Sequence, residues 1–90
     1  MSFVTSEKML SDAQKRHYAV GAFNCENMEM VKAIIKAAEE MHTPVMLQTT
    51  PSTINYGSLA LFSGMVRAEA DRACVPVCLH LDHGDRKSVV

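Results

Sequence analysis

No apolar run in this chain is long enough to cross a bilayer, no cluster of lysine and arginine marks a nucleic-acid surface, and no glycine-rich loop is laid out to cradle a phosphate. Nine basic residues against ten acidic ones leave a formal net charge of -1, which offers polyanions no footprint. Gly21 and Gly84 fit no GxGxxG spacing, so a dinucleotide site is not implied. The stretch from Met1 to Lys8 lacks the basic-then-apolar layout of a signal peptide. The cysteines, Cys25, Cys74 and Cys78, are few and odd in number, so free thiols and a cytoplasmic setting are expected, with neither nucleic acid nor membrane as partner. There is no residue-level repeat and no low-complexity linker.

What is present is a globular composition, 48% hydrophobic over 90 residues, enough for one small domain with a limited core. Thr5 to His17 reads as an amphipathic covering helix, capped by Thr5 or Ser6, striped by Met9, Leu10 and Ala13, and closed by Lys15, Arg16 and His17, where cations suit the helix dipole. Tyr18 to Phe23 is a continuous apolar run of the kind found in parallel strands covered on both faces. Asn27 caps a second helix reaching about His42, with Val31, Ile34, Ile35, Ala38 and Met41 in helical register. Pro44 to Thr50 is the second strand, Pro51 and Ser52 a turn, and a third helix runs from near Asn55 or Ser58 to Ala73 on Leu59, Phe62, Val66 and Ala70. Pro76 then opens a third strand ending at Leu81.

Helix and strand thus alternate, with crossovers long enough for right-handed βαβ units and a parallel sheet. Each strand leaves on hydrogen-bonding residues: Asn24 after the first, Thr49 and Thr50 after the second, Asp82 and His83 after the third. Parallel strands bring those three exits to one edge, where α/β folds carry their sites. Leu79-His80-Leu81-Asp82-His83-Gly84 is the most chemical stretch: alternation puts Cys78, His80 and Asp82 on one strand face, and His83 stands where the chain leaves the sheet. A carboxylate beside an imidazole suits a metal or acid–base site. His80, inside the strand, reads as a hydrogen-bonded supporting group, and the methionines as core filler. Cys74-x3-Cys78-x-His80-x2-His83 is a weaker structural-zinc reading, since closing a tetrahedron on those residues would distort the strand.

Three segments together, Tyr18 to Asn24 with Asn27, Pro44 to Pro51, and Leu79 to Gly84, resemble the first three strands of the class II ketose-bisphosphate aldolases. The resemblance extends to about Asp85. It implies an α/β fold comprising the N-terminal three β/α units of a TIM (β/α)8 barrel, residues 1–90 forming a partial barrel domain. It also implies zinc-dependent, reversible aldol cleavage of a fructose or tagatose 1,6-bisphosphate to dihydroxyacetone phosphate and an aldehyde, in a homo-oligomer. On that resemblance Asp82 is the acid/base at the C4 hydroxyl, His83 a Zn2+ ligand, Asn24 a substrate contact and Thr50 a phosphate-binding hydroxyl.

A complete barrel takes roughly 250 residues. The family's other two zinc histidines, its proton-abstracting glutamate and its glycine-rich phosphate loops are therefore expected beyond Val90, and Arg86 to Val90 does not resemble the family's next helix. The expectation is a truncated or frame-shifted copy, inactive by itself and marginal or self-associating because its strand edges stay open. Two other readings compete. Cys78-x-His80-x-Asp82-His83 resembles the metallo-β-lactamase motif with cysteine at its first position, but that family sets the motif after antiparallel strands. A non-catalytic, self-associating α/β module is the second.

Overall fold

The computed structural model describes residues 3–83. Gly84 and the run from Arg86 to Val90 lie outside the described residues. The elements in order are α1 (Ser6–Arg16), β1 (Gly21–Asn24), α2 (Met28–Glu40), β2 (Val45–Thr49), α3 (Pro51–Gly57), α4 (Leu59–Arg72) and β3 (Val77–Leu81). The strands form one parallel sheet in the order β1-β2-β3.

Local chemistry sets the helix ends. The side chains of Thr5 and Asn27 accept from the backbone N–H of Lys8 and Met30, capping α1 and α2 as the sequence predicts. His17 and His42 follow their helices in the left-handed region, at φ 59° and 52°, so both are helix-end residues. The predicted third helix is two helices. Pro51, expected in a turn, instead starts α3 at a first-turn position where proline loses no helical bond. Ser58, at φ 92°, breaks the chain's direction and caps α4 through Leu61 N–H.

The sheet packs α2 and α4 on one face. Val31, Ile35, Val45, Leu47, Phe62, Val66 and Val77 make this core, with Cys25 and Ala70. On the other face a smaller cluster of Met9, Met46 and Cys78, flanked by Val4 and Val20, lies under α1 at the N-terminal end of the strands. Phe3 bridges to Val77 and Val4 N–H donates to Val77 O, so the N-terminal segment holds the start of β3 at its outer edge.

Two further sequence expectations need correction. The apolar run predicts β1 from Tyr18, covered on both faces; the strand begins at Gly21 and is exposed along its length. β2 starts at Val45 opposite Gly21, so residues 18–20 have no partner strand to pair with, and Tyr18 instead closes α1 through Ala13 O and Asp12. Met41, placed in the buried stripe of α2, is 75% exposed because the helix ends at Glu40 and runs past the sheet edge.

Candidate active site

The pleat of a strand decides which side chains share a face. Gly21, Phe23, Val45, Leu47 and Val77 belong to the face carrying α2 and α4, so the alternate residues turn to the other face. There the register aligns Ala22, Met46 and Cys78 in one row and Asn24, Gln48 and His80 in the next. The first row is the apolar floor above Met9. The second is wholly polar and borders the C-terminal ends of all three strands.

Gln48 Nε2 donates to Asn24 Oδ1 at 3.1 Å, tying β1 to β2 across this row. One step further along, Asp82 N–H donates to Thr49 O at 2.7 Å, which continues the β2–β3 ladder into the turn and fixes the Asp82 backbone. The Asp82 carboxylate stands between two imidazoles, with His80 Nε2 3.9 Å from Oδ1 and His83 Nε2 3.6 Å from Oδ2. Both distances exceed hydrogen-bonding range, so neither ring nitrogen is committed to the carboxylate. His83 sits at φ 59°, a turn conformation that carries its 80%-exposed side chain out over the strand ends. Thr50, at the exit of β2, shares a 3.0 Å hydrogen bond with Ser52 Oγ.

The structure therefore joins the residues chosen from sequence into three neighbouring groups at one sheet edge: Asn24 with Gln48, Thr50 with Ser52, and Asp82 with His80 and His83. Gln48 and Ser52 were not singled out from the sequence. Gln48 was legible in principle, two residues after Met46 on the same strand face, but its partnership with Asn24 depends on β1–β2 register. Ser52 read as a turn residue because Pro51 masked the start of α3.

The donors here are of the right type for a divalent cation: an uncommitted imidazole beside a carboxylate. Among the described residues, however, no group of three or more His, Cys, Asp and Glu side chains is placed to hold a metal ion. This segment fits as one arm of a metal site. The Cys74–Cys78–His80–His83 reading is not supported, since Cys78 is buried under α1 while Cys74 is exposed and its backbone N–H is bonded to Glu39 across the helix layer. The parallel order of the strands also removes the metallo-β-lactamase reading.

An open parallel sheet with its polar side chains gathered at the strands' C-terminal ends defines the class as an α/β enzyme scaffold. The family model for fructose-bisphosphate aldolase class-II matches residues 4–90, and the chain belongs to that family. It is 49% identical over 81 residues to the fructose-bisphosphate aldolase of Thermus caldophilus, covering 90% of this chain and 26% of that one. It is 42% identical over 87 residues to the 6-phospho-5-dehydro-2-deoxy-D-gluconate aldolase of Bacillus licheniformis, covering 93% of this chain and 30% of that one. Among solved structures, the YdjI aldolase from Escherichia coli K12 superposes with a TM-score of 0.80 at 36% identity, over 92% of this chain and 32% of that one. The relatives are aldolases, hence lyases, and the chain spans about a quarter to a third of their length.

Proposed function

We propose that residues 1–90 are the opening three β/α units of a class II aldolase barrel, and that Asp82 and His83 are its first contribution to a zinc-dependent aldol site acting on a ketose phosphate. The observation that carries this reading is Asp82, its backbone fixed by the N–H bond to Thr49 O and its carboxylate 3.6 Å from the His83 imidazole. Asp82 accepts the C4 hydroxyl proton as the C3–C4 bond breaks and returns it in the condensation direction. Its neighbours His80 and His83 keep it among cation-capable groups at the strand ends. Asn24, oriented by Gln48, presents its amide N–H2 to substrate oxygen, and Thr50 with Ser52 presents hydroxyls to a substrate phosphate.

His83 would hold the zinc ion together with groups outside residues 3–83; when bound, zinc supplies Lewis-acid stabilisation of the negative charge left on the carbonyl side of the broken bond. The substrate class is phosphorylated ketoses cleaved to dihydroxyacetone phosphate and an aldehyde, with a cytoplasmic homo-oligomer as the working form. By itself the chain carries one arm of the site, so weak metal binding and no turnover are expected of it.

The test uses a full-length barrel made by joining this chain to the portion of the Thermus caldophilus enzyme outside the matched segment. Asp82→Ala should keep zinc and lower cleavage by ~10²–10⁴-fold, the scale of a positioned acid or base. His83→Ala should lower zinc affinity and cleavage together. Exchange of the dihydroxyacetone phosphate Cα proton should fall far less in Asp82→Ala than in His83→Ala. Loss of zinc from Asp82→Ala as complete as from His83→Ala would make Asp82 a ligand and overturn its assigned role.

A further inference from the structure

Asp82 is fixed at its backbone and loose at its side chain. Its N–H is bonded to Thr49 O, but among the described residues no hydrogen bond holds the carboxylate, which can turn about its own side-chain bonds. Two imidazoles approach it, His83 on Oδ2 and His80 on Oδ1, and they are not equivalent. His83 lies in the turn after β3 with an exposed side chain, and its ring is the one given to zinc above. His80 lies inside β3, in register with Gln48 on the central strand, so the ladder holds its backbone. Its ring has no other claim on it: Gln48 spends its amide N–H on Asn24, and among the described residues no hydrogen bond reaches the His80 imidazole. His80 Nε2 is 3.9 Å from Asp82 Oδ1, about 1 Å beyond the usual N–H···O distance. A small side-chain rotation closes that gap, and such bonds tighten when substrate is bound.

Resting on the aldolase reading above, we propose that His80 is the positioning residue for Asp82: its neutral imidazole donates Nε2–H to Oδ1 and leaves Oδ2, on the His83 side, as the acceptor for the substrate hydroxyl proton. In that step the substrate O–H bond breaks and an Oδ2–H bond forms, while His80 keeps its own proton throughout. The imidazole therefore acts only through the carboxylate. Its contribution is orientation, because proton transfer is efficient only from a carboxylate already turned towards the reacting hydroxyl. The division of labour follows from the backbone. The ring carried by the strand stays where the ladder puts it, and the ring carried by the turn is available to the metal.

The experiment uses the full-length barrel described above, zinc-loaded and carrying nitrogen-labelled histidine for magnetic resonance. The His80 ring is the one whose signals disappear in His80→Gln. It should be the Nε2–H tautomer, and Asp82→Ala should shift its Nε2 resonance. His80→Ala should lower kcat for cleavage about 10–100-fold, the scale for outer partners in metal sites, with KM and bound zinc unchanged. His80→Gln, whose amide N–H reaches the same oxygen, should recover most of that loss. In an Asp82→Ala background His80→Ala should cost nothing further, because the group it orients is gone. Circular dichroism of each variant shows that the barrel remains, and the Asp82→Ala shift is read with His80 in place. An Nδ1–H ring, equal losses in His80→Ala and His80→Gln, loss of zinc from His80→Ala, or a His80→Ala loss undiminished without Asp82 overturns the proposal. The aldolase reading fails differently. An Nε2–H ring coupled to Asp82, with cleavage untouched by Asp82→Ala, would leave His80 as the group that orients Asp82 and sink Asp82 as the base. Cleavage lost in Asp82→Ala but unmoved by His80→Ala would do the reverse.

Discussion

The two ends of the sheet's α1-side face are built from the same strands yet behave oppositely. At the N-terminal end Met46 and Cys78 sit under Met9 and are almost completely buried. Two residues further along the same strands, Gln48 and His80 stand beside Asn24 in an open polar row. One repeat of the pleat, about 6.6 Å, separates core from site. The candidate row lies one step from that packed floor, with a ladder on both sides of Gln48 and with Asn24 and His80 each paired to β2. The polar row itself lies outside both core clusters.

That contrast can be broken most directly by comparing neighbours on β2. Met46→Ala removes a side chain that is 7% exposed and should cost roughly 2–5 kcal/mol, the range for truncating a buried methionine. Gln48→Ala, two residues on, should change stability by no more than about 0.5 kcal/mol, as for a surface change. Urea unfolding of both variants reads the difference, and equal losses would mean that the polar row is part of the core.

The opposite, helix-covered face is probed by pH. Burial first, and then the charge of Glu26, push the Cys25 thiol up to about 11 from its ordinary 9. The folded chain therefore keeps this proton where the unfolded chain loses it. Stability from Cys25 is complete below pH 9 and is lost as pH rises from 9 to 11, by roughly 1–2 kcal/mol. Cys25→Ala should flatten that segment of the stability profile, apart from a smaller slope left by Cys78, whose thiol is also raised by burial. A profile unchanged by Cys25→Ala would show that this face is wetter than the α1 end.

The one expected gain in stability lies away from both ends, at the break between α3 and α4. Ser58 adopts φ 92°, a region that favours glycine, while its hydroxyl caps α4. Ser58→Gly relieves backbone strain of about 1–3 kcal/mol and gives up a cap worth a few tenths and about 0.5–1 kcal/mol of chain entropy, for a net gain of up to about 1 kcal/mol. A thermal melt shifted downward would show that the cap outweighs the strain.

The sequence alone determined what depends on neighbours in the chain. Apolar spacing located α1, α2, α4 and all three strands, Thr5 and Asn27 announced their helices, and alternation along β3 correctly separated Cys78 and His80 from Leu79 and Leu81. The three segments Tyr18 to Asn24 with Asn27, Pro44 to Pro51 and Leu79 to Gly84 also carried the resemblance to the family. Only the tertiary structure decided what depends on position across the sheet. A run as apolar as Tyr18 to Phe23 looks like a central strand, because hydrophobicity does not say whether a second strand lies on its far side. Here β1 is an edge, so its side chains are exposed and Met41 with them. The pairing of Gln48 with Asn24 and the clasp of Asp82 N–H on Thr49 O likewise arise from register, a relation between strands more than twenty residues apart that no local pattern encodes.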